Sequence, residues 1–258
     1  MSGELAVVLT AGGRIVRQDF PDAVLEDGDS DYKCLLKVGG RTLLEVALDA
    51  VRGCGRAEKV VVVGNPRLQR WLTAPNEVLI PERVEAHENF IDGLEAVAQY
   101  RRVLYLTTDL PFVTAEAVSR FIDACPPDVQ VCYAVVRREA FEARFPNSPS
   151  IYACLRDGEF AAGCAGMVEP AVLLERREWI RQAAQRRKSL WRLALLVGGG
   201  VLWKYATRRL TVADVERRAE RLLGARCRAV PCDPVLAYDI DTPQEYLYAL
   251  RYADGGSG

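Results

Sequence analysis

The sequence LAVVLTAGGR at residues 5–14 decides the fold. It begins with a continuous apolar run over residues 6–9, which leads directly into Gly12 and Gly13. A strand that is apolar on both faces is typical of a parallel sheet covered by helices on both sides. The two glycines allow a turn whose backbone amides can approach an anion closely. The segment therefore predicts the first strand of an α/β fold that binds its ligand at the strand end.

Short apolar runs alternate with longer amphipathic stretches up to about residue 145. The predicted strands cover residues 6–9, 60–63, 77–80, 103–106 and 129–136. The predicted helices cover residues 43–51, 90–100 and 115–125. This alternation predicts a three-layer α/β fold in which a mostly parallel sheet lies between two layers of helices.

The pattern changes after the break at Asn147-Ser148-Pro149. Two predicted strands, residues 151–155 and 160–168, flank an Asp157-Gly158 turn and form a hairpin. Residues 170–205 are mostly helical, with an interruption at 198–200. A helix at 211–223, strands at 228–230 and 235–240, and a final helix from Thr242 follow. We expect one domain over residues 1–254, with the hairpin and a helical insertion at about 147–210, and a flexible tail at 255–258.

Composition excludes several classes of function. The net charge of −1 argues against attraction of the whole molecule to nucleic acid. The eight cysteines are scattered, and no signal peptide is evident, which favours a cytoplasmic protein with free thiols. His87 is the single histidine, so Ser-His-Asp chemistry and multi-histidine metal sites are nearly excluded unless His87 itself takes part.

Two segments with aspartates indicate a metal site. Asp109 follows an apolar strand in Thr107-Thr108-Asp109-Leu110-Pro111, and ligands of open α/β sheets bind beyond such strand ends. Near the C-terminus, Asp239 and Asp241 precede Thr242-Pro243, a pattern that also predicts a helix start. Mg²⁺ prefers carboxylate oxygens, so both segments could hold it, although Asp109 could instead cap a turn.

These segments, read together with Lys33-Cys34-Leu35-Leu36-Lys37-Val38-Gly39-Gly40, resemble the MobA-like nucleotidyltransferases. The resemblance implies a GT-A, Rossmann-like nucleotidyltransferase fold. It also implies an enzyme that joins the nucleoside monophosphate part of an NTP, with CTP or GTP favoured, to a sugar phosphate or polyol phosphate and releases pyrophosphate. Residues 15–32 depart from the family pattern because they are longer and more acidic.

The resemblance also implies roles for individual residues. Lys33, rather than Lys37, would contact the triphosphate, and Arg14 would assist it as a second catalytic cation. Asp109 and Asp241 would bind Mg²⁺ or Mn²⁺, with Asp239 as the alternative to Asp241. The expected nucleotide-binding residues are Leu9, Ala11, Gly12, Gly13, Asn89 and Gly93. Asn89 could instead only cap the helix that follows it.

The acceptor is expected to bind at the hairpin and the insertion. Residues 176–192 are rich in basic side chains, of which Lys188 is the preferred contact for the acceptor phosphate. Residues 190–203 are apolar and include Trp191 and Trp203. They could pack in the core, form a homodimer contact or lie on a membrane surface, and core packing or dimerisation is favoured. Relatives often place an asparagine after the hairpin glycine, whereas this chain has Gly163-Cys164-Ala165.

Two other functions remain open from the sequence. A GT-A-type glycosyltransferase would share the nucleotide half and the metal aspartate but would consume a nucleotide-sugar. A nucleotide-binding module without turnover would need only the binding residues. Lys33 argues for use of a triphosphate, and the set of Lys33, Asp109 and Asp241 argues for catalysis.

Overall fold

The computed structural model describes residues 3–20, 23–25, 31–186 and 198–255. A central sheet of eight strands has the order β10-β7-β9-β6-β1-β4-β5, with β8 paired to β9. Its strands are β1 (Leu5–Thr10), β4 (Lys59–Gly64), β5 (Glu77–Pro81), β6 (Arg102–Thr107), β7 (Val131–Arg137), β8 (Ala153–Leu155), β9 (Gly158–Val168) and β10 (Cys227–Pro231). Two short strands, β2 (Lys37–Val38) and β3 (Arg41–Thr42), form a separate hairpin.

Helices connect and cover the strands. They are α1 (Leu43–Cys54), α2 (Ala86–Glu95), α3 (Ala115–Ala124), α4 (Arg138–Arg144), α5 (Pro170–Glu175), α6 (Arg177–Arg186), α7 (Gly199–Ala206), α8 (Val212–Leu223) and α9 (Pro243–Gly255). Short 3₁₀ helices occur at Lys33–Leu35, Pro66–Trp71 and Pro234–Leu236. No helix of the described residues is long and apolar enough to cross a membrane.

The apolar strands pair in parallel at the centre of the sheet. β1 lies between β4 and β6, and Leu9 is in register with Val62 on one side and Leu106 on the other. Side chains of β1 alternate between two cores: Val7 packs in the larger core on one face and Val8 in the smaller core on the other. A strand buried on both faces needs an apolar residue at every position, which explains the continuous run in the sequence. The predicted three-layer, mostly parallel α/β fold is confirmed.

Strand β9 breaks the parallel pattern. It pairs antiparallel with β6 and β7, and its pairing with β7 shifts register between Tyr133 and Val135. The predicted hairpin is present, since β8 and β9 pair antiparallel on either side of Arg156 and Asp157. The hairpin therefore contributes a strand to the central sheet, next to β6, which ends at Thr107 shortly before Asp109.

Two details of the predicted elements are wrong. Residues 235–240 form no strand, because Asp233 accepts a hydrogen bond from the Val235 amide and caps a 3₁₀ helix beginning at Pro234. Helix α2 begins at Ala86 rather than at residue 90 and ends at Glu95.

Of the alternatives for residues 190–203, core packing does not apply to Trp203. Its side chain is exposed on α7, which has no buried residue. A homodimer contact remains a prediction.

Other predictions lie outside the described residues. They include Lys188, Trp191 and residues 256–258 of the expected tail. Gly255 is the last residue of α9. The expected single domain over residues 1–254 and the acceptor-binding role of residues 147–210 remain predictions.

Candidate active site

Three aspartates form a carboxylate cluster beyond the end of β6. Oxygens of Asp109, Asp239 and Asp241 lie within 4.8 Å of one another. The amide of Ile240 donates a hydrogen bond of 3.1 Å to the Asp109 carbonyl, so backbone pairing holds the two distant segments together. The structure therefore brings together the two predicted metal ligands and the alternative, Asp239.

The start of α9 positions Asp241. The carboxylate of Glu245 accepts hydrogen bonds from the amides of Asp241 and Thr242, at 2.8 and 2.7 Å. The Thr242 hydroxyl accepts from the Glu245 amide at 3.3 Å. This reciprocal arrangement satisfies amides at the helix start that have no partner within the helix. It also holds the backbone of Asp241 beside the cluster.

Lys33 is the cation of the carboxylate cluster. Its ammonium group lies 3.2 Å from Asp109 Oδ2 and also donates to Asp241 Oδ1. A hydrogen bond of 2.9 Å from the Lys33 amide to the Gly13 carbonyl places it beside the glycine turn. Burial disfavours the charged form of Lys33, but the negative charges of Asp109 and Asp241 outweigh burial and raise its pKa.

Lys37 occupies a different place from Lys33. It lies in β2, and its carbonyl accepts a hydrogen bond of 2.9 Å from the Tyr246 hydroxyl. Lys33 is thus the one of the two lysines that contacts Asp109 and Asp241. Its predicted contact with the triphosphate remains a prediction.

The donor set fits a hard divalent cation. Asp109 Oδ1 is buried and has no hydrogen-bond partner among the described residues. Burial, together with the charges of Asp109 and Asp241, raises the pKa of Asp239 to about 7. Three converging carboxylates exceed the charge of one ammonium group, and their oxygens are the ligand type that Mg²⁺ prefers.

The glycine turn lies next to Lys33. Gly12 and Gly13 follow β1, whereas the side chains of Leu9 and Ala11 are fully buried, so only their backbone groups could face a ligand. A side chain at Gly12 would collide with the Glu82 carboxylate. The close approach of the Glu82 carboxylate therefore favours glycine at position 12.

Arg14 has acidic and aromatic partners. Its guanidinium donates to Asp31 Oδ1 and Glu82 Oε1, each at 2.8 Å, and stacks on the Tyr32 ring at 3.7 Å. These acids differ from the ones that contact Lys33, so the structure does not bring Arg14 into the carboxylate cluster through these contacts. Arg14 instead ties together the two ends of residues 14–32, where it forms a backbone bridge with Tyr32. Its predicted catalytic role remains a prediction.

Glu82 is a site residue that the sequence analysis missed. It follows β5, accepts from the Tyr32 hydroxyl at 2.6 Å and lies over Gly12. The available signal was its position at the carboxyl end of a strand, where ligands of such sheets bind. That signal was weak because β5 is a less apolar strand than β1 or β4.

Asn89 is buried within α2 and does not cap it. Its side-chain oxygen accepts from the Arg83 amide, and its side-chain nitrogen donates to the Arg83 carbonyl at 3.2 Å. A side chain at Gly12 would also approach the Asn89 amide nitrogen at 3.0 Å. Asn89 therefore fixes the turn after β5 next to the glycine turn, and its contact with a nucleotide remains a prediction.

Gly93 lies against the sheet. A β-carbon at this position would lie 2.5 Å from Val8 Cγ1 and 3.2 Å from Val63 Cγ2. The absence of a side chain is therefore explained by close packing of α2 on β1 and β4. The contact of Gly93 with the nucleotide remains a prediction.

Gly93→Ala should accordingly destabilise the protein. We expect a loss of about 1–3 kcal/mol in the free energy of unfolding, because the added methyl group overpacks a close helix–sheet contact. Urea denaturation followed by circular dichroism measures it. Gly200→Ala in α7, where a β-carbon meets nothing within 4 Å, is the matched control and should not destabilise. Equal stability of the Gly93 variant and the wild type would contradict the packing role.

At least one basic side chain of the insertion forms an ion pair within the protein. Arg181 in α6 forms a two-pronged ion pair with Glu88 of α2, with distances of 2.7 and 2.9 Å.

A cavity of about 320 Å³ lies beside Asp239 and Asp241 and is also lined by Ser150, Gly163 and Cys164. The hairpin, rather than α6, thus lines the space next to the carboxylates.

Comparisons with known proteins agree with this arrangement. Residues 7–195 match the MobA-like NTP transferase domain. A hypothetical transferase from Thermus thermophilus shares 32% identity, covers 94% of this chain and 99% of its own, and superposes with a TM-score of 0.82. In a comparison with curated proteins, none matches this chain.

Two more distant structures show the same fold. A 4-diphosphocytidyl-2C-methyl-D-erythritol synthase from Anaerococcus prevotii has 15% identity and a TM-score of 0.62 over 98% of this chain and 97% of its own. A 2-C-methyl-D-erythritol 4-phosphate cytidylyltransferase, also from Thermus thermophilus, has 21% identity and a TM-score of 0.56 over 97% of this chain and 99% of its own.

Proposed function

Because this chain belongs to the MobA-like NTP transferase family, we propose that it is a metal-dependent nucleotidyltransferase. It joins the nucleoside monophosphate part of an NTP to a phosphorylated small molecule and releases pyrophosphate. The acceptor is a sugar phosphate, polyol phosphate or related alcohol phosphate. CTP is the first nucleotide to test, since two proteins of this fold carry a cytidyl or cytidylyl group in their names.

The observation that carries the proposal is the joint position of Lys33 and the aspartates. Lys33 contacts both Asp109 and Asp241, and its amide is bonded to Gly13 of the glycine turn. A cation, exposed backbone amides and a carboxylate cluster are the groups that a triphosphate and its metal ion require. A bound nucleotide-sugar carries one phosphate fewer, so it has less need of Lys33.

Groups of the protein itself would bind and orient the phosphates of the NTP. Amides of Gly12 and Gly13 would donate to phosphate oxygens, and the Lys33 ammonium would offset charge that develops on the leaving pyrophosphate. An acceptor phosphate is already anionic at neutral pH, so its oxygen can form the new bond to the α-phosphorus without a histidine base. The bond between the α-phosphorus and the pyrophosphate oxygen breaks as the new one forms.

Asp109 and Asp241 would hold Mg²⁺ or Mn²⁺, with Asp239 beside them. When bound, the ion would offset negative charge on the phosphate oxygens. Asp109 Oδ1 is buried and has no partner in the part of the chain that the structure describes, which supports this assignment because a buried polar atom is normally paired.

The test is pyrophosphate release from each of the four NTPs with a panel of phosphorylated acceptors. We expect one nucleotide–acceptor pair to give a product whose mass equals acceptor plus nucleoside monophosphate. Chelation with EDTA should abolish the release, and added Mg²⁺ or Mn²⁺ should restore it. No release with any pair would contradict the proposal. Release of a nucleoside diphosphate from a nucleotide-sugar would support glycosyl transfer instead.

A further inference from the structure

A second cavity has an almost entirely apolar lining. It has a volume of about 410 Å³. Residues of strands β7, β8, β9 and β10 line one side, and residues in and next to α8 line the other. Helix α8 presents a stripe of apolar residues to it at helical spacing, Val212, Val215, Ala219 and Leu223. Leu155 and Phe160 of the hairpin line the opposite side. Its volume is in the range of small-ligand pockets.

The wall of this cavity is almost entirely hydrocarbon. Its two charged members are occupied elsewhere: Glu216 accepts from the Ala229 amide at 2.9 Å, and Arg228 donates to Glu220 at 2.8 Å. Tyr133 and Val215 remain about half exposed around it, so the cavity opens to solvent. An apolar ligand would bury these surfaces.

The apolar cavity shares part of its wall with the space beside the aspartates. Tyr133, Ala161 and Ala162 line both it and the cavity of about 320 Å³ next to Asp239 and Asp241. The two cavities are therefore neighbours along this wall. An acceptor that holds its phosphate at the carboxylates would direct a hydrocarbon chain along the shared wall to reach the apolar cavity.

We propose that the acceptor is a phosphorylated alcohol with a hydrocarbon chain, and that this chain binds in the cavity between the hairpin and α8. The inference rests on the proposed function for the place of the phosphate. Residues 187–197, which connect α6 and α7 in the sequence, are a competing occupant. The wall that the apolar cavity shares with the cavity beside the carboxylates favours the acceptor over residues 187–197 as the occupant. The test below distinguishes the two occupants.

The test uses a series of n-alkyl phosphates with 4 to 12 carbons, kept below micelle formation. Calorimetry measures their binding in the absence of nucleotide, and pyrophosphate release measures their use as acceptors. We expect the dissociation constant and KM to fall about fourfold per added methylene until the cavity is filled, and then to level off. A flat series would overturn the inference, including the case in which residues 187–197 fill the cavity.

Two variants locate the effect. Val215→Trp places a large side chain in the cavity from α8, and Ala219→Phe does so one turn later. Each should weaken binding of decyl phosphate about tenfold or more and flatten the series. Leu247→Trp on α9, a similarly half-exposed position outside the cavity, is the matched control and should keep the wild-type slope. Equal slopes in all proteins would overturn the inference.

Binding measured by calorimetry tests the apolar cavity, and pyrophosphate release tests the proposed enzyme activity, so the two can fail independently. Chain-length-dependent binding that Val215→Trp removes, without nucleotide transfer to any acceptor, would support the cavity and contradict the enzyme activity. Transfer to short and long phosphates with equal KM would support the activity and overturn the cavity assignment.

Discussion

Asp109→Asn is expected to lower the rate of pyrophosphate release about 100- to 1,000-fold while the fold stays intact. The substitution keeps the size of the side chain but removes the charge that faces Lys33 and the other two aspartates. Asp109 Oδ2 contacts Lys33, whereas Asp109 Oδ1 is buried without a partner among the described residues and therefore remains for a ligand. Loss of that charge should weaken binding of the metal ion and of the nucleotide that it accompanies.

The measurement combines steady-state pyrophosphate release with thermal unfolding. Asp109→Asn should change the unfolding midpoint by no more than about 3 °C, because removal of one like charge from the cluster offsets the lost contact with Lys33. Asp123→Asn is the control, since Asp123 is an exposed aspartate paired with Arg56 on the surface. Activity of the Asp109 variant within fivefold of the wild type would exclude a central role for this carboxylate.

Lys33→Ala should have the second large effect, a reduction of kcat/KM by about 100-fold or more. The substitution removes the ammonium group that contacts Asp109 and Asp241 next to the glycine turn. Without it, the carboxylates would repel an approaching triphosphate more strongly. Both NTP affinity, measured by calorimetry, and turnover should fall.

Lys37→Ala is the matched control for Lys33. Both lysines belong to the same sequence segment, but Lys37 lies in β2 beside Tyr246, and its loss should change kcat/KM by about threefold or less. The pair of variants distinguishes a specific role of Lys33 from a general effect of positive charge in this segment. Equal losses in the two variants would contradict the assignment of Lys33.

The centre of the fold could be predicted because burial on both faces leaves a clear signal. β1, β4 and β6 are apolar at nearly every position, and Asp109 lies two residues after the end of β6. The grouping of Asp109 with Asp241 also followed from the resemblance, although the predicted strand before Asp241 is absent. Tyr238 and Ile240 are buried in the larger core without belonging to a strand, and Tyr238 packs on Phe141 and Phe145. Their burial on either side of Asp239 produces the same alternation as a strand.

The surroundings of the glycine turn could not be predicted in the same way. The contacts among Arg14, Tyr32, Asn65 and Glu82 join three segments that are distant in the sequence. None of these residues has a local pattern that identifies its partner, since their pairing depends on how closely the strand ends approach. The packing of Gly93 could not be predicted for a related reason: a glycine required for helix–sheet packing looks the same in sequence as one required for a ligand.

The backbone hydrogen bond between Lys33 and Gly13 explains how the protein accommodates the long acidic segment at residues 15–32. The Lys33 amide is bonded to the Gly13 carbonyl, and the Ile15 amide to the Asp31 carbonyl, so the two ends of the segment meet at its base. The entropy of closing a loop grows only with the logarithm of its length, and a doubling costs about 0.6 kcal/mol. Insertions between these ends can therefore accumulate at small thermodynamic cost without moving the lysine from the aspartates.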